Sequence, residues 1–174
     1  MASSNSDWLA AWWPLVKTLL FFCMVPGTVA GYVPYLLLRP VQLPSLEHFG
    51  VDQWAGVALV GLGATGLLWC GWNFAVTGRG TPAPFDPPKI LVARGPYCWV
   101  RNPMYVSVAT ALVGEAWLFH SVVLLQYLAV FWTILHLFVV FYEEPTLREK
   151  FGDSYAAYRR AVPRWIPRPP RGTP

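Results

Sequence analysis

Charge is what this sequence has least of: 13% of its 174 residues are Asp, Glu, Lys or Arg, where a soluble domain carries about a quarter. Hydrophobic residues make up 55% of the chain and aromatic residues 16%. That balance excludes intrinsic disorder and a basic nucleic-acid-binding tail, and it points to a surface solvated by lipid instead of water. Cysteine is scarce as well. Cys23, Cys70 and Cys98 are odd in number and far apart, with no CxxC pair and no histidine at ligand spacing, so neither a disulfide framework nor a metal site is expected. Met1 to Asp7 contains no Lys or Arg and so lacks the basic start of a secretory signal peptide; the first apolar segment is expected to stay in the mature protein.

What is there is apolar and segmented. Residues 12–38 hold Lys17 as their one charged residue and are punctuated by Pro14, Pro26 and Pro34. At ~1.5 Å per residue they exceed the ~30 Å hydrocarbon layer, so this span is expected to tilt, kink or break. Residues 54–76 form an uninterrupted second span; 103–119 and 121–142 form a third and fourth, joined at His120-Ser121 as an antiparallel hairpin. Eleven of the thirteen Lys and Arg fall in 77–102 and 143–174, four in the first stretch and seven in the second. The positive-inside rule puts both stretches in the cytoplasm, with 39–53 outside and both termini inside. Pro82, Pro84, Pro87, Pro88 and Pro96 make 77–102 an extended, stiff connection. Beyond the fourth span, Leu147, Phe151, Tyr155, Tyr158 and Val162 recur at helical spacing after Pro145. They predict an amphipathic interfacial helix over 145–162, followed by a Pro- and Arg-rich tail, 163–174. The fold class is all-α: a single-domain integral membrane bundle of about four transmembrane helices.

Gly61-Leu62-Gly63-Ala64-Thr65-Gly66 matches GxGxxG, but it lies in mid-span with no strand before it. It reads as a small-residue face for helix packing, as does Gly27-Thr28-Val29-Ala30-Gly31, which suits an internal or a dimer contact. Glu143 and Glu144 end the fourth span. Acidic groups at a helix C-terminus oppose its dipole and adjacent ones repel, so a cation is expected to face them, Arg101 or a cationic ligand; an ordinary helix end reaching headgroup water is the alternative. His136 lies seven residues earlier on the same α-helical face, ~10 Å deeper, either as a functional group or as a histidine bonded between helices. Glu115 and His120 sit at the opposite end of the hairpin, where snorkelling accounts for them. Gly95-Pro96 makes a turn and Pro103 fits the first position of the third span, so Arg101 and Asn102 are held at a helix N-terminus. Free N–H groups, a guanidinium and an amide there suit a carboxylate or phosphate, or anchor a lipid headgroup. The hairpin makes this cluster a neighbour of Glu143-Glu144, and cationic and anionic groups side by side suit a zwitterionic ligand.

Taken in order, five blocks resemble the isoprenylcysteine carboxyl methyltransferase and phospholipid methyltransferase superfamily of membrane enzymes. They are Gly95-Pro96-Tyr97, Arg101-Asn102-Pro103-Met104-Tyr105, Glu143-Glu144-Pro145-Thr146-Leu147, Phe151-Gly152-Asp153-Ser154-Tyr155-Ala156-Ala157-Tyr158 and Val162-Pro163-Arg164-Trp165-Ile166-Pro167. The resemblance covers roughly residues 80–167. It implies S-adenosylmethionine as cofactor, contacts to it from Tyr97, Arg101, Asn102, Tyr105, Glu143 and Glu144, and a lipid-like acceptor arriving from the membrane. Asn102 stands where many relatives have His, and Asn cannot titrate, so this position does not shuttle a proton. Cys98-Trp99 stands where Arg-Tyr is common.

A sulfonium methyl carries its own activation, so the main demand is positioning, which contributes about 7–11 kcal/mol. A carboxylate or thiolate acceptor needs no base; an amine does, and His136 or Glu144 would supply it. His136, Glu144 and Arg101 are thus the expected catalytic residues, and an isoprenylcysteine-like carboxylate is the favoured acceptor. A phospholipid or small-thiol acceptor, an NADPH-dependent membrane reductase of related fold and a non-catalytic membrane scaffold remain as alternatives.

Overall fold

The computed structural model describes residues 16, 20–39, 49–73, 91 and 93–170, and every regular element among them is helical. Helix α1 spans Leu20–Leu38, α2 Val51–Asn73, α3 Pro103–Leu118, α4 Val122–Phe138 and α5 Glu144–Ala161, with a single 3-10 turn at Gly95–Cys98 before α3. Leu20–Leu38, Val51–Asn73 and Val122–Ala161 are long and apolar enough to cross a bilayer. Helix α3 is shorter, 16 residues or ~24 Å, and lies along α2. Met24, Leu62, Leu68, Val130, Ile134 and Phe141 point outward and are exposed. Lipid solvates such a surface at no hydrophobic cost, and the chain is an integral membrane protein.

Small residues bring α2 and α3 together. A Cβ added at Gly63 would lie 2.6 Å from the Ser107 carbonyl oxygen, and one at Gly114 would lie 2.7 Å from the Gly56 carbonyl oxygen, so the two backbones touch. The packing face expected in Gly61–Gly66 is therefore used at Gly63 and Gly66, while Gly61 faces open space; Gly31 of the earlier stretch faces open space too. The α3–α4 turn falls at His120-Ser121, where His120 takes φ 47° and the Ser121 hydroxyl accepts the Leu124 N–H at 3.3 Å as N-cap.

Two prolines shape the long helices in the same way. Pro34 and Pro145 each lack an N–H and crowd the carbonyl four residues back, and in both cases the residue just before the proline bonds five residues back instead of four. Val33 N–H reaches Thr28 in the π-helical turn Thr28–Tyr32, and Glu144 N–H reaches Val139 in the π-helical turn Val139–Glu143. The expected punctuation of 12–38 thus appears as a widened turn within α1. Helices α4 and α5 likewise join through the second wide turn into one 40-residue helix, ~60 Å long. The sequence suggests a break between 142 and 145; the helix instead runs through that point and bends at Gly152, whose φ of 50° and ψ of −125° are non-helical. Residues 12–15, 17–19, 74–90 and 171–174, parts of the expected first span, second span, loop and tail, lie outside the described residues.

Candidate active site at the head of helix 3

Pro103 starts α3 with φ already set and no N–H to leave unsatisfied, which makes Asn102 the N-cap residue and places Arg101 just ahead of it. Asn102 does not cap with its side chain. Its Nδ2 donates instead to the Arg164 carbonyl at 3.2 Å, so the N–H groups of Met104 and Tyr105 in the first turn receive no cap from it. The chain beyond α5 returns across this point. Arg101 N–H donates to Pro163 at 2.8 Å and Arg168 N–H to Trp99 at 2.9 Å.

That return carries the Arg164 guanidinium onto Glu144. Nε meets Oε1 at 2.6 Å and Nη2 meets Oε2 at 3.0 Å, a forked pair. Arg101 Nη1 reaches the same Oε1 at 3.0 Å, and Arg159 Nη2 lies 3.7 Å from Oε2. The Arg101 and Glu144 side chains are 9% and 8% exposed, so one nearly buried carboxylate organises three guanidiniums. Its hydrogen bonds to Arg164 hold that guanidinium above the usual arginine range, so it stays charged.

Glu143 has a different neighbour. The Tyr105 hydroxyl donates to its Oε2 at 3.0 Å. Tyr97 lies behind the cluster, buried among Cys70, Met104, Phe21 and Phe22. It shares a side-chain hydrogen bond with Cys70, its carbonyl accepts the Tyr158 hydroxyl at 2.7 Å, and burial pushes its phenol well above the ordinary tyrosine value. A cleft of about 620 Å³ opens beside Glu144, lined also by Val140, Pro145, Arg148, Glu149, Arg159 and Arg164, a size within the small-molecule range of about 300–1,000 Å³.

Arg101, Asn102, Tyr105, Glu143 and Glu144 thus come together, with Tyr97 packed behind them. His136 stands apart, against the returning tail: Trp165 Nε1 donates to its Nδ1 at 3.1 Å, and the Trp165 ring also lies 4.6 Å from Trp132. An indole N–H only donates, so Nδ1 is an acceptor and the imidazole proton sits on Nε2. The wide turn Val139–Glu143 rotates the helix beyond it, so seven-residue spacing no longer puts His136 and Glu143 on one face. Arg164 and Arg159 are the participants in the cluster that the sequence pattern did not place there. The one signal for Arg164 is the block Val162-Pro163-Arg164-Trp165.

Residues 51–154 match the family model described as phospholipid methyltransferase. The chain is similar to the nickel-cobalt-cadmium resistance protein NccN of Alcaligenes xylosoxydans xylosoxydans, 28% identical over 124 residues that cover 67% of this chain and 54% of that protein. It is similar also to the cobalt-zinc-cadmium resistance protein CzcN of Cupriavidus metallidurans, 28% identical over 131 residues covering 69% of this chain and 56% of that one. The chain spans about half the length of these curated relatives. No solved structure matches it.

Proposed function

We infer the activity from membership: the chain belongs to the phospholipid methyltransferase family, whose model it matches over more than half its length. The reaction is transfer of a methyl group from S-adenosylmethionine to a hydrophobic acceptor held in the membrane, favoured as an isoprenylcysteine-like carboxylate. What supports a binding site is the meeting of the Arg101–Tyr105 stretch with Glu143-Glu144 at one end of the hairpin.

The donor set fits a ligand with a carboxylate, an ammonium and a sulfonium. Glu144 is shared by three guanidiniums, whereas Tyr105 is the one partner of Glu143 among the described residues, so Glu143 has capacity left for a cationic group. The uncapped N–H groups of the first α3 turn and the Arg101 guanidinium form the complementary positive side. In this reading Glu144 is chiefly a positioning residue that fixes Arg101 and Arg164. Asn102 holds the tail across the site through Arg164, and Tyr97 supports the whole from the core. When bound, the cofactor supplies a methyl group activated by its positive sulfur. The protein's residues then have to bind, orient and exclude water.

Neither expected base is free to act as one. His136 Nδ1 holds the Trp165 N–H and Nε2 carries the proton, so His136 donates unless Trp165 leaves; Glu144 is committed to its arginines. This supports an acceptor that arrives already anionic, a carboxylate or thiolate. A second reading, methylation of a phospholipid amine, is favoured by the family description and calls for a proton acceptor. Placement of this end at the cytoplasmic surface rests on its excess of Lys and Arg.

Purified protein in lipid vesicles, given methyl-labelled cofactor with either a farnesylated cysteine analogue or phosphatidylethanolamine, tests the proposal. Alkali-labile label in the cysteine analogue is the expected result. Alkali-stable label in the phospholipid would select the amine reading, and no transfer to either by folded protein would contradict both.

A further inference from the structure

We propose that a hollow ringed by Arg101, Arg148, Arg159 and Arg160 is a binding site for a phosphate-bearing anion, beside the methyl-transfer cleft. The hollow has a volume of about 300 Å³, and its remaining walls are Tyr155 and Ala156. Four arginines line it and no carboxylate does. The bend at Gly152 creates this arrangement, because it folds the stretch carrying Arg159 and Arg160 back toward Arg148, one turn before the bend.

Charge balance argues that something anionic belongs there. Glu144, the carboxylate that pairs with Arg101 and Arg159, is already divided among Arg101, Arg159 and Arg164. Arg148 and Arg160 form no ion pair among the described residues. The second observation is independent of the first: Arg101, whose side chain is 9% exposed, buries its Nε with no acceptor among the described residues. A buried N–H without a partner is costly, and the residue that bears it is a wall of the hollow. Forked donors from several guanidiniums match the oxygens of a phosphate group, which offers acceptors in several directions at once. The shared chemistry, a phosphate group, belongs equally to an anionic lipid headgroup and to free phosphate. Binding here does not require methyl transfer.

The test uses the full chain in phosphatidylcholine nanodiscs. Inorganic phosphate is titrated in, and parallel nanodiscs contain phosphatidic acid; binding is read as a rise in the thermal unfolding midpoint and as broadening of the 31P resonance. Arg148→Gln with Arg160→Gln is expected to weaken binding about tenfold or more. Arg94→Gln with Arg168→Gln removes the same charge from exposed sites away from the hollow and is expected to leave binding unchanged. Should the first pair fail to fold, Arg160→Gln alone carries the same expectation at smaller size. A response to inorganic phosphate supports the site with a free anion as occupant; a response to phosphatidic acid alone supports it with a headgroup. Equal losses in both variant pairs, no response to either probe, or displacement of the probe by S-adenosylhomocysteine would overturn the proposal.

Discussion

The two ends of the α3–α4 hairpin handle charge in opposite ways. At the Arg101 end, Glu144 is 6% exposed and gathers three guanidiniums, and Glu143 accepts a tyrosine hydroxyl next to it. At the other end, Asp52 meets His120 at 2.7 Å with side chains 44% and 58% exposed, and Gln53 lies alongside. Desolvating an ion costs several kcal/mol, and neighbours that satisfy a buried charge from several sides offset that cost. An exposed pair costs little to form and contributes about 0–1 kcal/mol. The contrast teaches where to look for binding: the end that has been assembled at an energetic cost is the one whose geometry is held fixed.

Breaking the buried end should have the largest effect. Glu144→Ala strands Arg101 and Arg164 without their shared carboxylate and is expected to destabilise the protein by about 3–5 kcal/mol, seen as a fall in the thermal unfolding midpoint in detergent. A loss below about 1 kcal/mol would place Glu144 in the same class as Asp52. Next comes Arg101→Ala, which leaves Glu144 two arginines and should preserve the fold while weakening cofactor affinity about tenfold, measured by equilibrium dialysis with labelled S-adenosylhomocysteine. Unaltered affinity would remove Arg101 from the site.

Smaller effects sharpen the comparison. Pro145→Ala supplies the missing N–H and lets the Val139–Glu143 turn tighten toward α winding, which rotates Glu143 away from Tyr105. It should cost binding about 1 kcal/mol, and Tyr105→Phe should reproduce that cost; a variant of Pro145 that binds normally would show that the wide turn does not aim Glu143. Smallest of all, Asp52→Asn at the exposed end should change the unfolding free energy by less than about 1 kcal/mol and leave cofactor affinity untouched.

The residues differ in how far the sequence reveals them. Composition and hydrophobic runs announce the membrane helices, and the short His120-Ser121 connection announces the hairpin, because bilayer thickness and loop length leave few alternatives. The meeting of Arg101 with Glu144 is a consequence of those two readings, since both lie at helix ends on one side. Arg164 is different: it sits in a Pro-rich return with no periodicity, and its place on Glu144 depends on hydrogen bonds to the returning backbone from the Arg101 N–H and the Asn102 side-chain amide that no local pattern encodes. Seven-residue α-helical spacing predicts a shared face for His136 and Glu143, and one turn of π winding removes the basis for that count. Gly152 reads as part of an amphipathic helix until the chain bends there, and that bend, absent from any periodicity, is what gathers Arg148 with Arg159 and Arg160.

The most direct measurement is a calorimetric titration of the purified protein in detergent with S-adenosylhomocysteine, run on the natural chain, Arg101→Ala and Asp52→Asn. Saturable binding to the natural chain and to Asp52→Asn is expected, with affinity about tenfold lower for Arg101→Ala. Folded natural protein that takes up no ligand, or an Arg101→Ala protein that binds as tightly as the natural one, would contradict it.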